Sequence, residues 1–173
     1  MGAIGPVIYS SGRVQSAGIA IKPWGRIHNT QLHPNVDSWV DAVSGACMLV
    51  PSWVRFDVGF PHGFEDIELS MRLKTMGYQN LVVSKAVCQH LGGGTLGYAD
   101  PQKIRHSVYG HLRLLKSHRY IPIVAGLAVL QVLSEDRDRD RLLSIFKGVR
   151  DWSYRNSRAT RRASSMAGSK IAK

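Results

Sequence analysis

Cysteine is scarce in this chain of 173 residues, which contains only Cys47 and Cys88. Two cysteines cannot supply the several disulfides that hold small secreted domains together, so a disulfide-rich scaffold is excluded. Both residues lie in apolar stretches typical of strands, and a cysteine in such a setting is usually buried and unpaired. The sequence therefore predicts two buried free thiols in a reducing compartment.

A long apolar stretch is also missing. The longest one covers residues 121–133 and is interrupted only by Gln131, which is short of the about 20 residues that a membrane-spanning helix needs. The first residues lack the basic stretch followed by an apolar run that marks a secretory leader. These absences predict a cytoplasmic protein, and they leave peripheral contact with the inner face of a membrane as an open alternative.

Acidic residues are absent from the end of the chain, although the net charge of the whole is +11. The charged residues after Asp151 are all basic, namely Arg155, Arg158, Arg161, Arg162, Lys170 and Lys173. Such a segment can contact anionic lipid, nucleic acid or nothing in particular. Nucleic-acid surfaces usually interleave basic and aromatic side chains, and only Tyr154 lies nearby, so a nucleic-acid partner is not expected.

The size and composition are those of a globular protein, because 44% of the residues are hydrophobic and a chain of this length can bury a core. Hydrophobic periodicity and turn residues predict an α/β fold. We expect a domain with a mixed sheet over residues 1–100, a helical segment over 101–155 and a basic, disordered tail over 156–173. The individual elements expected are strands at 4–9, 14–21, 40–50 and 81–88, and helices at 64–76, from 101, at 122–133 and around 142–152.

Three carboxylates crowd the start of the predicted helix at 64–76. Glu65, Asp66 and Glu68 fall in its first turn, where the helix dipole favours negative charge, so helix capping is one explanation of their position. The other explanation is chemical, because a carboxylate held ionised at a helix start can act as a general base. The strand that follows ends at His90, a residue type suited to acid–base chemistry or to metal binding.

Four motifs follow one another within residues 2–97. They are Val43-Ser44-Gly45-Ala46-Cys47-Met48-Leu49-Val50-Pro51, Gly63-Phe64-Glu65-Asp66-Ile67-Glu68-Leu69-Ser70-Met71-Arg72-Leu73, Gly77-Tyr78 and Ala86-Val87-Cys88-Gln89-His90. Together they resemble the second half of a family 2 glycosyltransferase with the GT-A fold. The resemblance implies a partial GT-A-like mixed sheet with flanking helices. It also implies an inverting transfer of a sugar from a nucleotide-sugar to a hydroxyl of a glycan or lipid-linked acceptor, in polysaccharide or cell-envelope synthesis.

The resemblance also implies roles for individual residues. Asp66 would be the general base that deprotonates the acceptor hydroxyl, and Glu65 would sit beside it. Gly45 and Ala46 would lie against the acceptor. His90 would bind the divalent metal, Mn or Mg, or contact the diphosphate of the donor.

Two further residues are candidates for substrate binding. Trp24 lies in a predicted loop, where its ring could stack on a sugar. Arg72 belongs to the second motif, but it also stands four residues after Glu68, a spacing at which the two side chains can pair on the surface of a helix.

The donor-binding half of such an enzyme is not recognisable in this sequence. The family holds its metal with a DxD motif in a preceding βαβ unit, and the chain begins after the corresponding point. The letters D-x-D occur only within residues 136–140, where a solvated charged link is expected. Gly92-Gly93-Gly94 is followed by no clear helix, so it does not predict a phosphate-binding loop. We therefore expect a partner chain to carry the donor-binding half, and association into a homodimer is the alternative.

Two hypotheses remain open at this level. The first is the acceptor half of a glycosyltransferase. The second is a non-catalytic basic binding protein, built on a degenerate transferase half, that contacts a membrane surface or nucleic acid through its tail. The order of the four motifs favours the first, whereas the high positive charge favours the second.

Overall fold

The computed structural model of the chain describes residues 1–31, 35–91, 100–135 and 138–171. The chain divides into two compact units, Met1–Tyr98 and Ala99–Lys173. The first unit combines strands with a helix, and the second is helical. The predicted α/β class is thereby confirmed at this coarse level.

The first unit is built on a mixed sheet. Its elements are β1 (Ile4–Ser10), β2 (Arg13–Ser16), β3 (Ile19–Ile21), β4 (Ile27–Asn29), β5 (Ser38–Val40), α1 (Glu65–Thr75) and β6 (Asn80–Gln89). The four-stranded sheet has the order β2-β1-β6-β5, in which β1 runs parallel to β6 and the other neighbours are antiparallel. Strands β3 and β4 form a separate antiparallel pair.

The predicted strand at 14–21 is interrupted at Gly18. This residue has φ +103°, and a Cβ placed on it would lie 2.4 Å from Cγ1 of Val40. Glycine tolerates both the left-handed conformation and the close approach. The chain therefore leaves the four-stranded sheet after Ser16 and enters the second one at Ile19.

The predicted strand at 40–50 is wrong beyond Val40. Only Ala42 and Leu49 pair there, each through a single bridge, with Ile19 and Ile4 respectively. The segment between them turns because its backbone is held by helix α1 rather than by a neighbouring strand. The amide of Val43 donates to the hydroxyl of Ser70, over 3.2 Å.

Helix α1 covers the core of this unit. Leu69 and Leu73 are fully buried and pack with Ala3, Val43 and Val54, as the helical spacing of the leucines predicts. Met76 continues the same helical spacing but is exposed, because the helix ends at Thr75 and Gly77 turns the chain away with φ +89°.

The second unit contains helices α2 (Pro101–Leu115), α3 (Ile121–Glu135) and α4 (Arg139–Ile171), with a 3-10 turn at His118–Tyr120. Helix α2 begins as its sequence suggests, with Pro at the first position and the Asp100 carboxylate accepting from the amide of Gln102. The three helices bury a common apolar cluster made by Ile104, Val108, Tyr109, Leu112, Val124, Val132, Ile145 and Trp152.

The end of α4 differs from the predicted disordered tail. The helix continues to Ile171, so the backbone of residues 156–171 is helical. The segment contains no proline and is rich in Ala and Arg, which have high helix propensity. A helix already nucleated by packing upstream is extended by such residues at little cost.

The two cysteines are free, but they are not both buried as predicted. Cys47 is exposed and Cys88 is half-buried. Partial burial and the neighbouring thiol of Cys47 raise the pKa of Cys88. The prediction of a buried Cys47 was wrong because this residue lies in the turning segment at 43–48, where a strand had been expected.

Candidate functional site

The start of helix α1 has an uncommon backbone. Phe64, the residue that precedes the helix, has φ +71°, and its side chain makes no capping hydrogen bond. Gly63 before it has φ +76°. A left-handed conformation is unfavourable for a bulky residue and is often found at functional sites. The turn presents Glu65 and Asp66 as the first two helical residues.

Both carboxylate oxygens of Asp66 accept backbone hydrogen bonds. Oδ2 accepts from the amide of Gly45 over 2.7 Å, and Oδ1 accepts from the amide of Ile67 over 2.8 Å. Burial nevertheless raises the pKa of Asp66, and the negative charge of Glu65 adds to this effect, while the two amides oppose it. A carboxylate whose pKa is shifted toward neutrality is a better general base than an ordinary surface aspartate.

Glu65 brings an unsatisfied acceptor to the same place. Its Oε2 is buried and has no hydrogen-bond partner among the residues that the structure describes. Buried carboxylate oxygens normally have such a partner. A fully buried atom cannot contact an approaching ligand directly, so Glu65 acts on this site through its negative charge, which lies close enough to raise the pKa of Asp66.

The segment at Gly45 and Ala46 lies against this carboxylate. A Cβ on Gly45 would stand 3.0 Å from Cβ and 3.2 Å from Oδ2 of Asp66, so only glycine permits the contact without a shift. Ala46 is the next residue and is exposed. The structure thus brings together four of the residues that the sequence singled out, namely Gly45, Ala46, Glu65 and Asp66.

Two residues that position this site were not predicted. Asn80 is 1% exposed and bonds three separate segments, since its Oδ1 accepts from Ala3 and its Nδ2 donates to the carbonyls of Asp41 and Ser70. Ser70 is fully buried and holds Val43 through its hydroxyl. The signal available in the sequence was a polar residue on an apolar stripe, because Ser70 follows Ile67 by three positions.

Arg72 lies away from these carboxylates along α1. Its Nε and Nη2 donate to the two carboxylate oxygens of Glu68, over 2.9 and 3.2 Å, and Nη2 also donates to the carbonyl of Arg55 over 2.7 Å. The predicted pairing with Glu68 is confirmed. These bonds engage the guanidinium in holding the segment at Arg55 to the helix.

Trp24 belongs to the turn between β3 and β4, and it is half exposed. The guanidinium of Arg26 lies 6.0 Å from its ring centroid. This hairpin is anchored through Ile21, whose amide donates to Asp41, and Asp41 pairs with Lys74. Lys74 is eight residues after Asp66, about 12 Å along the helix axis, so the hairpin is attached near the other end of α1.

His90 is fixed at the end of β6. Its amide donates to the carbonyl of Tyr9 over 2.8 Å, and its Nδ1 lies 3.0 Å from Oε1 of Gln15. Cys88, two residues earlier, has its thiol against that of Cys47. The segment that touches Asp66 through Gly45 therefore also reaches the strand that carries His90.

The predicted Mn or Mg site does not fit the residues that the structure describes. Among them, no three His, Cys, Asp or Glu side chains are grouped so that they could hold a metal ion. The bond to Gln15 leaves only Nε2 of His90 as a ligand, whereas Mn and Mg favour sets of oxygen ligands. Of the D-x-D letters, Asp136 lies outside the described residues, and Asp138 caps α4 by accepting from the amide of Asp140. The glycines at 92–94 also lie outside.

No helix in the described part of the chain is long and apolar enough to cross a membrane. Comparison of the chain with protein-family models, with curated proteins and with solved structures found no match.

Proposed function

We propose that this chain provides the acceptor side and the general base of an inverting, family 2-like glycosyltransferase, with its first unit corresponding to part of a GT-A-like fold. The observation that supports this most directly is Asp66, a carboxylate whose pKa is raised by burial and which both Gly45 and Ile67 hold in place. Glu65 supports the proposal because its negative charge lies close to Asp66 and adds to the raised pKa of that carboxyl.

The reaction is a displacement at the anomeric carbon of the donor sugar. The acceptor hydroxyl donates a hydrogen bond to Asp66, and its proton moves to that carboxylate as the oxygen attacks the anomeric carbon. The new carbon–oxygen bond forms while the bond to the nucleoside diphosphate breaks, and the diphosphate leaves with the electron pair. Glu65 stands beside Asp66 and holds the acceptor or the base in orientation.

In this proposal the donor and its metal bind to a partner polypeptide, and no step here is assigned to a metal. Gly45 holds Asp66 in position and takes no part in proton transfer. Its amide holds one oxygen of Asp66, and its lack of a side chain lets the acceptor-binding segment approach the carboxylate.

The test is reconstitution with a polypeptide that carries a donor-binding half, sought first among the products of neighbouring genes. We expect release of nucleoside diphosphate from a UDP- or GDP-sugar only when both chains and a glycan acceptor are present. Asp66→Asn should lower kcat by about 100-fold or more, the range that a general base contributes.

Asp37→Asn is the matched control, because Asp37 is an exposed carboxylate whose partner is Ser84 rather than the Gly45 segment. Its turnover should stay within about twofold of the original. Unchanged turnover in Asp66→Asn would show that this carboxylate is not the base.

A second candidate is a non-catalytic binding protein, and one observation favours it. The second unit carries 16 Lys and Arg residues against 6 Asp and Glu, whereas the first is nearly neutral. If reconstitution gives no transfer with any nucleotide-sugar, this candidate becomes the better account of the chain.

A further inference from the structure

Helix α3 has an apolar side that the helical unit does not cover. Residues 121–134 contain no charged side chain. Val124 and Val132 are buried in the common cluster, but Leu130 is 65% and Leu133 is 44% exposed. Exposed leucines that neighbour one another on a helix mark a surface that contacts another apolar medium.

Helix α4 continues this apolar character on its outer face. Ile145 and Trp152 are buried, whereas Leu143 and Phe146 are exposed, the phenylalanine to 71%. Only three residues separate the end of α3 at Glu135 from the start of α4 at Arg139. Leu130, Leu133, Leu143 and Phe146 therefore all lie within about two turns of this connection, and together we name them the end patch.

Basic residues occupy the same outer face of α4. Lys147, Arg150 and Arg158 are exposed and follow Leu143 at intervals of 4, 7 and 15 residues, which places them on one side of a helix. Tyr154 lies among them, with the guanidinium of Arg158 4.6 Å from its ring centroid. The connection before α4 is close to neutral, because its acidic and Arg residues alternate, so the positive charge lies along α4 itself.

The combination selects one kind of partner. An exposed apolar patch adds little at a nucleic-acid surface, where about half to two-thirds of the hydrogen bonds go to phosphate and sugar. A second copy would bring two strongly positive units together. An anionic bilayer takes both components, since its acyl boundary accepts Leu and Phe and its headgroups attract Lys and Arg.

We propose that the outer face of α3 and α4 docks on the surface of an anionic lipid bilayer. The end patch enters the boundary between headgroups and acyl chains, and Lys147, Arg150 and Arg158 contact the headgroup phosphates. Docking of this kind places the chain at a membrane without crossing it. It does not depend on the transfer reaction proposed above.

Flotation of the full chain with vesicles tests the docking. We expect binding to vesicles of phosphatidylcholine with about 30% phosphatidylglycerol, weakening as salt is added, and much weaker binding to pure phosphatidylcholine. The double variant Leu130→Ser with Phe146→Ser should bind about tenfold less or weaker still. Lys147→Gln with Arg150→Gln should lose roughly 25-fold, at about fivefold for each charge.

Matched substitutions in the first unit provide the controls. Val58→Ser removes an apolar side chain that is 98% exposed, and Lys85→Gln removes an exposed charge. Both should bind the anionic vesicles as the original chain does. All four substituted positions of the second unit are exposed, so circular dichroism and the unfolding midpoint should stay unchanged and exclude misfolding as the cause.

Three kinds of result would overturn the proposal. One concerns the vesicles alone, and it is either no binding to the anionic vesicles or the same binding after the end-patch substitutions. Another is binding of a homopolymeric RNA, lost in the Lys147 and Arg150 variant, without any vesicle binding. The third is a concentration-dependent dimer, seen by analytical ultracentrifugation, that Phe146→Ser dissociates while vesicles are not bound.

Discussion

Asp66 lies where opposing effects act on one carboxylate. Burial and the charge of Glu65 raise its pKa, while the amides of Gly45 and Ile67 lower it. The sequence places Asp66 at a helix start, which alone predicts an ordinary, fully ionised side chain. Burial changes the pKa of Asp66 more than any of the other effects. This burial depends on the segment at Gly45, which lies 21 residues earlier in the chain.

The raised pKa predicts how the stability of the folded chain changes with pH. As pH rises from the unfolded pKa through the raised folded pKa, the folded state holds the proton longer than the unfolded state, so ionisation costs folding free energy. The asparagine of Asp66→Asn does not titrate. It replaces one of the two acceptor oxygens, so the variant loses one hydrogen bond, which contributes about 1 kcal/mol to stability. The free energy of unfolding of the original relative to Asp66→Asn, measured in urea, should therefore fall as pH rises above the ordinary pKa of an aspartate, about 4.

Asp37 supplies a control of opposite sign. The hydroxyl and amide of Ser84 lower its pKa, so its contribution to stability is present at neutral pH and is lost as pH falls through the folded pKa. The stability of the original relative to Asp37→Asn should rise with pH over the acidic range. Parallel pH profiles for the two variants would contradict the assignment of opposite shifts.

The buried side chain of Asn80 is expected to contribute strongly to the stability of the fold. Asn80→Ala leaves the amide of Ala3 and the carbonyls of Asp41 and Ser70 without their partner. We expect a loss of about 3 kcal/mol or more in the free energy of unfolding, because each buried group left unsatisfied costs about 1–3 kcal/mol. Gln79→Ala, at the exposed neighbouring position, should change it by less than about 0.5 kcal/mol.

At the scale of elements, local pattern succeeded where an element is long and its packing is regular. Helix α1 and strand β6 lie within one residue of their predicted bounds. Both are long enough for the apolar spacing and the flanking turn residues to identify them from neighbouring sequence alone. The segments at 14–21 and 40–50 failed because their partners are remote. Gly18 packs against Val40, and the turn at Gly45 is held by α1.

The surroundings of two helical glycines predict opposite effects of an alanine substitution. Gly148 lies where α4 contacts α2. A Cβ on Gly148 would lie 2.6 Å from the carbonyl oxygen of Arg105 and 2.9 Å from Cβ of Val108. Gly148→Ala should therefore destabilise the helical unit by about 1–3 kcal/mol. Gly126, in α3, has nothing within 4 Å, so Gly126→Ala should stabilise by up to about 1 kcal/mol. Thermal unfolding of the two variants checks the contrast.

At the scale of the whole molecule, charge and chemistry lie in different units. The candidate site belongs to the first unit, which is nearly neutral, and the positive charge belongs to the second. This distribution assigns the sugar chemistry to one unit and attachment to an anionic surface to the other, if both proposals hold.

The proposal of an acceptor half predicts the nucleotide affinity of the chain alone. Calorimetric titration with UDP or GDP in the presence of Mn²⁺ should show only weak binding, with a Kd of about 1 mM or higher, which corresponds to about 4 kcal/mol of binding free energy. Micromolar affinity would contradict the assignment of the donor site to another chain. Titration without the metal serves as the reference.

The α/β class, the long elements, the uneven charge and the position of Glu65 and Asp66 at a helix start could all be predicted from residue patterns, because periodicity and composition are properties of neighbouring residues. Three features could not be predicted in this way: the contact of Gly45 with Asp66, the joining of three segments by Asn80, and the exposure of Leu130 and Phe146. Desolvation, close approach and exposure depend on which distant segments meet, and no local pattern specifies that.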